Sequence, residues 1–395
     1  MRYAVVFALF VLSMITYIDR ACIATAKDPI SLDLALSDRA MGMVFGAFAL
    51  GYALAQIPSG WFADKAGPRI ALAVVAMAWS ALTALTGAAW NLTSLVAIRF
   101  LFGVAEAGAF PGSARAICNW LPAGERGRAN GVLFSGSRLG AAFAFPLLAW
   151  MLSRWRWRIS FFILGGLGVA WAVGWLLWFR DHPAKPLPVE PSSLPAIGMG
   201  AVFRSGPMAL AMLQYFASNF TFFICLSWML PYLKKQYHLS DTQAAAYAMA
   251  PLLLGATSQW IAGWAVDRLY RSPWRAWSRR IPGMLGFALA AVGVLAVTRA
   301  ATPGTAVLCF TLAAFGADMT ISPSWVFCAD IAGKNAGGVS GSMNMLGNFG
   351  SFVSANAFPY LQGLTGSASA YFIAAAVLNL AGMGCWCRMR SVDRE

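Results

Sequence analysis

Charge and histidine are what this sequence has least of. Only 11% of its 395 residues are Asp, Glu, Lys or Arg, whereas soluble domains carry roughly a quarter. Histidine occurs twice, at His182 and His238, both in expected loops. The first shortage excludes an ordinary water-soluble fold, and the second leaves no basis for metal or histidine-base chemistry. No nucleophile is accompanied by a base and no phosphate-binding loop is evident, so a membrane-embedded enzyme has no support. The seven cysteines (Cys22, Cys118, Cys225, Cys309, Cys328, Cys385 and Cys387) lie mostly in apolar stretches without metal-ligand spacing. They read as small core residues. No cofactor is expected.

What is abundant is apolar length: 59% of the residues are hydrophobic. Runs of about 20 apolar residues recur, each able to cross a hydrocarbon core of about 30 Å as a helix. Twelve spans are expected, at approximately 3–25, 41–63, 70–90, 92–114, 128–150, 158–179, 207–232, 243–266, 282–299, 304–325, 336–361 and 367–387. The first is too long for a signal-peptide core and is read as a retained helix. Arg180 to Gly206, with Pro183, Pro186, Pro188, Pro191 and Pro195, is the longest polar break and reads as a linker. The expected organisation is an all-α membrane protein with an N-terminal half at 1–179, a linker at 180–206 and a C-terminal half at 207–395. The formal net charge of +14 decorates helix ends, so nucleic acid is not an expected partner; the lipid bilayer is. Seventeen loop lysines and arginines fall on the side of the N-terminus against eight on the other, which predicts cytoplasmic termini. The Arg154-Trp-Arg-Trp-Arg158 loop runs against that bias.

The halves repeat. Gly60-Trp-Phe-Ala-Asp64-Lys65 after the second span returns as Gly263-Trp-Ala-Val-Asp267-Arg268 after the eighth, 203 residues later. Glu106 precedes Pro111 by five residues in the fourth span, as Asp318 precedes Pro323 in the tenth. A duplicated six-helix unit explains both, and it is the parallel-repeat plan of a rocking transporter with its site near the midplane. A channel, with charges along a continuous pore, fits this pattern less well.

Gly60-Trp-Phe-Ala-Asp64-Lys65-Ala-Gly67-Pro-Arg69 resembles the loop signature of the major facilitator superfamily. Tyr17-Ile-Asp19-Arg20, Tyr52 to Gly60 (YALAQIPSG), Arg99 to Pro111 (RFLFGVAEAGAFP), and Trp120-Leu-Pro122 with Glu125-Arg126 resemble its anion:cation symporter family. That family includes proton-coupled galactonate and hexuronate permeases and vesicular glutamate transporters. Ser135 to Gly140 and Asp318 to Asn348 resemble one bacterial branch. Arg138 departs from the galactonate permease pattern, which has a glutamine near this position. The resemblance spans essentially the whole chain and implies a twelve-helix carrier importing a small organic anion with protons, in a bacterial inner membrane, as a monomer. It also implies that two buried carboxylates take up protons and two arginines handle the anion. An anion uniporter or exchanger, and a sodium-coupled carrier, are the alternatives.

Charges inside the spans are few: the acids Asp19, Glu106 and Asp318, and the arginines Arg20, Arg99 and Arg138. A charge at the bilayer centre costs about 2.5–3.5 kcal/mol on insertion scales, so each must face protein or a water-filled cavity. Arg99 and Glu106, seven apart, share a helix face about 10 Å apart in height. Adjacent Asp19 and Arg20 point about 100° apart, so Arg20 can face a cavity while Asp19 turns to a neighbouring helix. Arginine suits an anion because its charge survives burial and its fork binds carboxylate bidentately. Arg20 is expected to clamp substrate, and Arg99 to touch it or tune Glu106. Arg138 would add a second contact favouring a diacid, and Arg115 would act near the cytoplasmic end. Asp318 is either a third proton site or a partner of Arg138.

Tyr52 and Gln56, and Asn344 and Asn348, are i, i+4 pairs that can present polar groups together. Gln214 and Asn219 are weaker nominees for substrate contact. Phe222, Phe223 and Trp325 could stack on a ring or simply pack. Asp64 and Asp267, with Arg69 and Arg268 beside them, are expected to latch the cytoplasmic side, pairing with arginines or a helix N-terminus.

Overall fold

The computed structural model describes residues 2–183, 200, 204–239, 241–332 and 335–389. The linker stretch 184–199, Lys334 and the last residues from 390 lie outside them. Among the described residues every regular element is helical. The elements are α1 (Arg2–Thr25), α2 (Lys27–Asp33), α3 (Asp38–Gly87), α4 (Leu92–Glu106), α5 (Ala109–Trp120), α6 (Arg126–Arg154) and α7 (Trp157–Trp178). Then follow α8 (Gly206–Phe223), α9 (Met229–Tyr237), α10 (Asp241–Tyr270), α11 (Arg280–Val297), α12 (Pro303–Met319), α13 (Ile321–Ala332), α14 (Ala336–Thr365) and α15 (Ser369–Arg388). Each of the twelve expected spans coincides with one or more of these helices. Among the described residues, seven helical stretches are long and apolar enough by themselves to cross a membrane, and a bent pair around Pro146 adds an eighth.

Helix starts follow the sequence. Asn91 and Ser94 form a reciprocal capping box at α4, as do Thr302 and Thr305 at α12, satisfying amides that the first turn leaves open. Interruptions follow it too. The second and third spans run into one another as α3, broken only at Gly67, whose φ of 77° precedes Pro68. Asp181 holds this corner by accepting the Arg69 amide at 2.8 Å. The fourth and tenth spans break just after their acids: α4 ends at Glu106, and α12 one residue past Asp318. Pro111 and Pro323 lie one turn further on in each and lack the amide that would bond back across the break. A π segment, Ile224–Trp228, joins α8 to α9.

Two compact units emerge. The first comprises 1–120, 136–188 and 334–342, the second 121–135, 189–333 and 343–395. Helix α6 thus passes from the second unit into the first after Ser135, and α14 from the first into the second after Ser342. In the first unit, Ile18, Cys22, Leu95, Leu148, Phe161 and Leu164 belong to one core. In the second, Phe220, Phe310, Phe358, Tyr371 and Phe372 do. Among the cysteines, Cys22, Cys225 and Cys328 are buried as expected, but Cys387 is exposed and Cys118, Cys309 and Cys385 are half-buried, because their helix faces turn outward.

The arginine cluster that ran against the charge bias has a structural use. Arg158 donates to the Gly87 and Ala89 carbonyls at 3.0 and 2.7 Å and to Asp33 at 2.9 Å. It closes the C-terminal end of α3, where carbonyls lack partners.

Candidate functional site: a buried ionic cluster and two helix seams

Close packing of α3 on α4 builds the first part. An added Cβ at Gly51 would lie 2.2 Å from the Phe100 carbonyl oxygen, and one at Gly103 2.2 Å from that of Phe48. Only glycine allows such an approach, the usual device of helix contacts in lipid. It sets Phe48 and Tyr52 beside the arginines. The Arg20 guanidinium lies 4.9, 5.3 and 4.5 Å from the rings of Tyr17, Phe48 and Tyr52. Its Nε donates to both carboxylate oxygens of Glu106, at 3.2 and 3.0 Å. Glu106 is wholly buried, whereas the Arg20 side chain keeps 20% exposure. Arg20 Nη2 is buried and has no hydrogen-bond partner.

Arg99 lies against Phe48 and Phe102, at 5.1 and 4.3 Å, and is buried. Its Nε has no hydrogen-bond partner, and no ion pair to it exists among the described residues. Asp19 turns away from Arg20, as adjacency requires. Its Oδ2 accepts from Trp79 Nε1 at 3.2 Å and from the Thr83 hydroxyl at 3.5 Å, both on α3, while Oδ1 is buried without a partner. A purely aromatic replacement, Trp79→Phe, is expected to lower stability by about 1–3 kcal/mol, because a buried acceptor loses its main donor. Detergent-solubilised thermal melts would show it.

The remaining nominees are placed as follows. Arg138 is buried on α6 between Gly136 and Gly140, whose faces touch Phe10 and Met14 of α1. Gln56 and Tyr52 are buried on α3. Asp318 is wholly buried at the end of α12. Gln214 bonds to Ser324 with both ends of its amide, at 3.0 and 3.2 Å. Asn219 and Asn348 donate to the carbonyls one turn back, Tyr215 and Asn344. Trp325 donates to the Tyr215 hydroxyl at 2.9 Å. Gly347 sets α14 against Tyr215 and Asn219. The second unit therefore holds a polar and aromatic cluster, and the first holds the ionic one.

The duplicated loop motif forms two matching seams. In the first unit Asp64 accepts the amides of Gly337 and Gly338 at 2.8 and 2.7 Å, capping the start of α14. In the second, Asp267 accepts those of Gly127 and Arg128 at 2.8 and 2.9 Å, capping α6. The helix N-terminus is the stronger partner in each, since the nearest arginines stand off at 3.9 Å (Arg115) and 3.7 Å (Arg128). Gly60 packs on Gly337, and Gly263 on Gly127. Arg69 and Arg268 do not join these seams: Arg69 donates to the Leu176 carbonyl at 3.0 and 2.8 Å, and Arg268 is exposed.

Sequence reasoning passed over Phe48, Trp79 and Thr83. Phe48 was recoverable, since it lies one turn before Tyr52. The α3 partners of Asp19 were not, since nothing local marks them.

These features together define a polytopic carrier rather than a catalyst. The Major Facilitator Superfamily model matches residues 9–355, and the chain belongs to that superfamily. It is 31% identical to the probable sulfoacetate transporter of Cupriavidus necator, over 95% of this chain and 91% of that one. It is 30% identical to the probable L-galactonate transporter of Escherichia coli, over 90% and 81%. Among solved structures, the human organic anion transporter TETRAN superposes with a TM-score of 0.76 at 16% identity, over 98% and 99% of the two chains. The chain is a membrane transporter and not an enzyme.

Proposed function

We propose that this transporter imports an organic anion, a sugar acid or related carboxylate, by proton symport and alternating access. It works as a monomer in a cell inner membrane with both termini cytoplasmic. The observation that carries the reading is Arg20, a partly exposed side chain pairing with a wholly buried Glu106 while one of its nitrogens stays without a partner. An incoming carboxylate would engage that nitrogen, with Arg99 as a second cation and Tyr52 and Gln56 as polar contacts. In the second unit, taken by itself, Gln214, Asn219, Asn344 and Asn348 are the groups suited to hydroxyl contacts, although Gln214 must first give up Ser324.

Coupling follows from sharing Arg20. Once the anion occupies the guanidinium, Glu106 loses part of its counter-charge in a dry setting, where an uncompensated carboxylate is costly, and takes a proton instead. Asp19, with one oxygen unsatisfied, is the second proton site, and Asp318 is a third. By reciprocity, protonation tightens anion binding. The relatives support the substrate class, being named for a sulfonate-carboxylate and for a sugar acid. Arg138 is a further buried cation suited to a two-acid substrate.

The test is counterflow in proteoliposomes with sulfoacetate and L-galactonate, run with a proton gradient and again with a sodium gradient at fixed pH. Saturable exchange, uptake driven by the proton gradient and abolished by a protonophore, and tighter binding at pH 6 than at pH 8 are expected. Equal drive by sodium, or transport indifferent to both gradients, would overturn proton symport.

A further inference from the structure

Gln259 stands in the second half where Gln56 stands in the first: four residues before the seam glycine and eight before the motif aspartate. The match extends to the opposing helices. An added Cβ at Gly341 would lie 2.6 Å from the Gln56 carbonyl oxygen, and one at Gly131 would lie 2.4 Å from that of Gln259. Gly127-x3-Gly131 on α6 and Gly337-x3-Gly341 on α14 are thus equivalent strips of bare backbone. Each meets a Gln-x3-Gly-x3-Asp face on the facing helix. Within the second unit this places Gln259 at the far end of the α6–α10 seam from Asp267.

Gln259 is wholly buried, and neither its Nε2 nor its Oε1 has a hydrogen-bond partner. Its neighbour Ser258 shows what a satisfied side chain does here, giving its hydroxyl to the Phe315 carbonyl at 2.6 Å. A glutamine amide can make four hydrogen bonds. Burying it with none made is costly, and such groups call for a reason outside the packing they sit in. A leucine or methionine would fill the same volume without the penalty.

We infer that Gln259 is a substrate contact of the conformation in which the α6–α10 seam is parted. There its amide donates to an acidic oxygen of the transported anion and accepts from a hydroxyl. The inference rests on the organic-anion reading above. Closure of the seam withdraws the amide from solvent and strips it of partners, so the closed seam carries a built-in bias to reopen. Occupancy of the opened seam by an anion satisfies the amide.

The experiment compares wild type, Gln259→Leu and Gln259→Asn in membrane vesicles of both orientations, with sulfoacetate and L-galactonate as probes. In Gln259→Leu the KM measured from the seam side is expected to rise about 10-fold, the loss of one hydrogen bond to a charged group. The KM from the opposite side should change little. Gln259→Asn, one methylene shorter, should recover part of the difference. The melting temperature of Gln259→Leu should equal or exceed that of wild type; should this variant misfold, Gln259→Met provides the same comparison. Unchanged KM on both sides with full transport overturns the inference and leaves the anion reading standing. Equal losses from both sides with a lowered melting temperature would assign Gln259 to packing and also overturn it. A wild type inert toward both probes removes the anion reading and this inference with it.

Discussion

Arg20→Ala is expected to abolish both proton-driven uptake and substrate-for-substrate exchange, by at least about 100-fold. Two losses add. The anion loses its fork, and Glu106, wholly buried, loses the one side chain among the described residues that is hydrogen-bonded to its carboxylate. Removing one member of a buried ion pair costs about 3–5 kcal/mol, so a lowered melting temperature should accompany the lost transport. Glu106→Gln is the informative contrast. It removes the negative charge but leaves Arg20 resting on three aromatic rings and partly solvated, where a guanidinium is tolerable. Proton-driven uptake should vanish while exchange persists within about 10-fold of wild type. The measurement is paired counterflow and pH-gradient uptake on the same proteoliposomes. If the two variants lose exchange equally, binding and coupling do not divide between these residues.

Gly263→Val and Gly60→Val are expected to reduce transport by an order of magnitude or more without preventing insertion. A Cβ at these positions would lie 2.5 and 2.3 Å from the backbone oxygens of Gly127 and Gly337. The two helices would have to separate by about 1 Å, and such overpacking costs about 1–3 kcal/mol per site. The amides of Gly127, Arg128, Gly337 and Gly338 would then lose their aspartate caps, so hydrogen exchange should rise at those four positions in particular. Gly46→Ala is the control, since nothing lies within 4 Å of an added Cβ there. A Gly263→Val protein that transports and exchanges hydrogen like wild type would show that the seam is not a moving part.

The sequence carried the fold through periodic apolar length and through punctuation: Asn91, Gly67 and Thr302 each stand where a helix begins or bends. It carried the identity of the buried charges for the same reason, since an ionisable residue in an apolar run has few harmless explanations. Which charge meets which was less legible. Arg20 and Glu106 are 86 residues apart, and their pairing depends on how α1 is brought to the end of α4, which no local signal encodes. Local phase could place Asp19 on a different face from Arg20 but could not name Trp79. The second seam was half visible: Gly263 and Asp267 stood out by repetition, whereas Gly127, Gly131 and Gln259 gain meaning only once α6 is laid against α10.

The two seams have a bearing on ancestry. Each joins a Gln-x3-Gly-x3-Asp helix from one half of the gene to a Gly-x3-Gly helix from the other, and the two are built alike. That is the pattern of an isologous interface, in which patch A of one copy meets patch B of its twin and the reverse. Before fusion, two identical six-helix chains could have met through this same reciprocal contact. The fused chain cannot be cut at its midpoint without leaving each piece lacking a stretch that the other supplies, residues 121–135 in one case and 334–342 in the other.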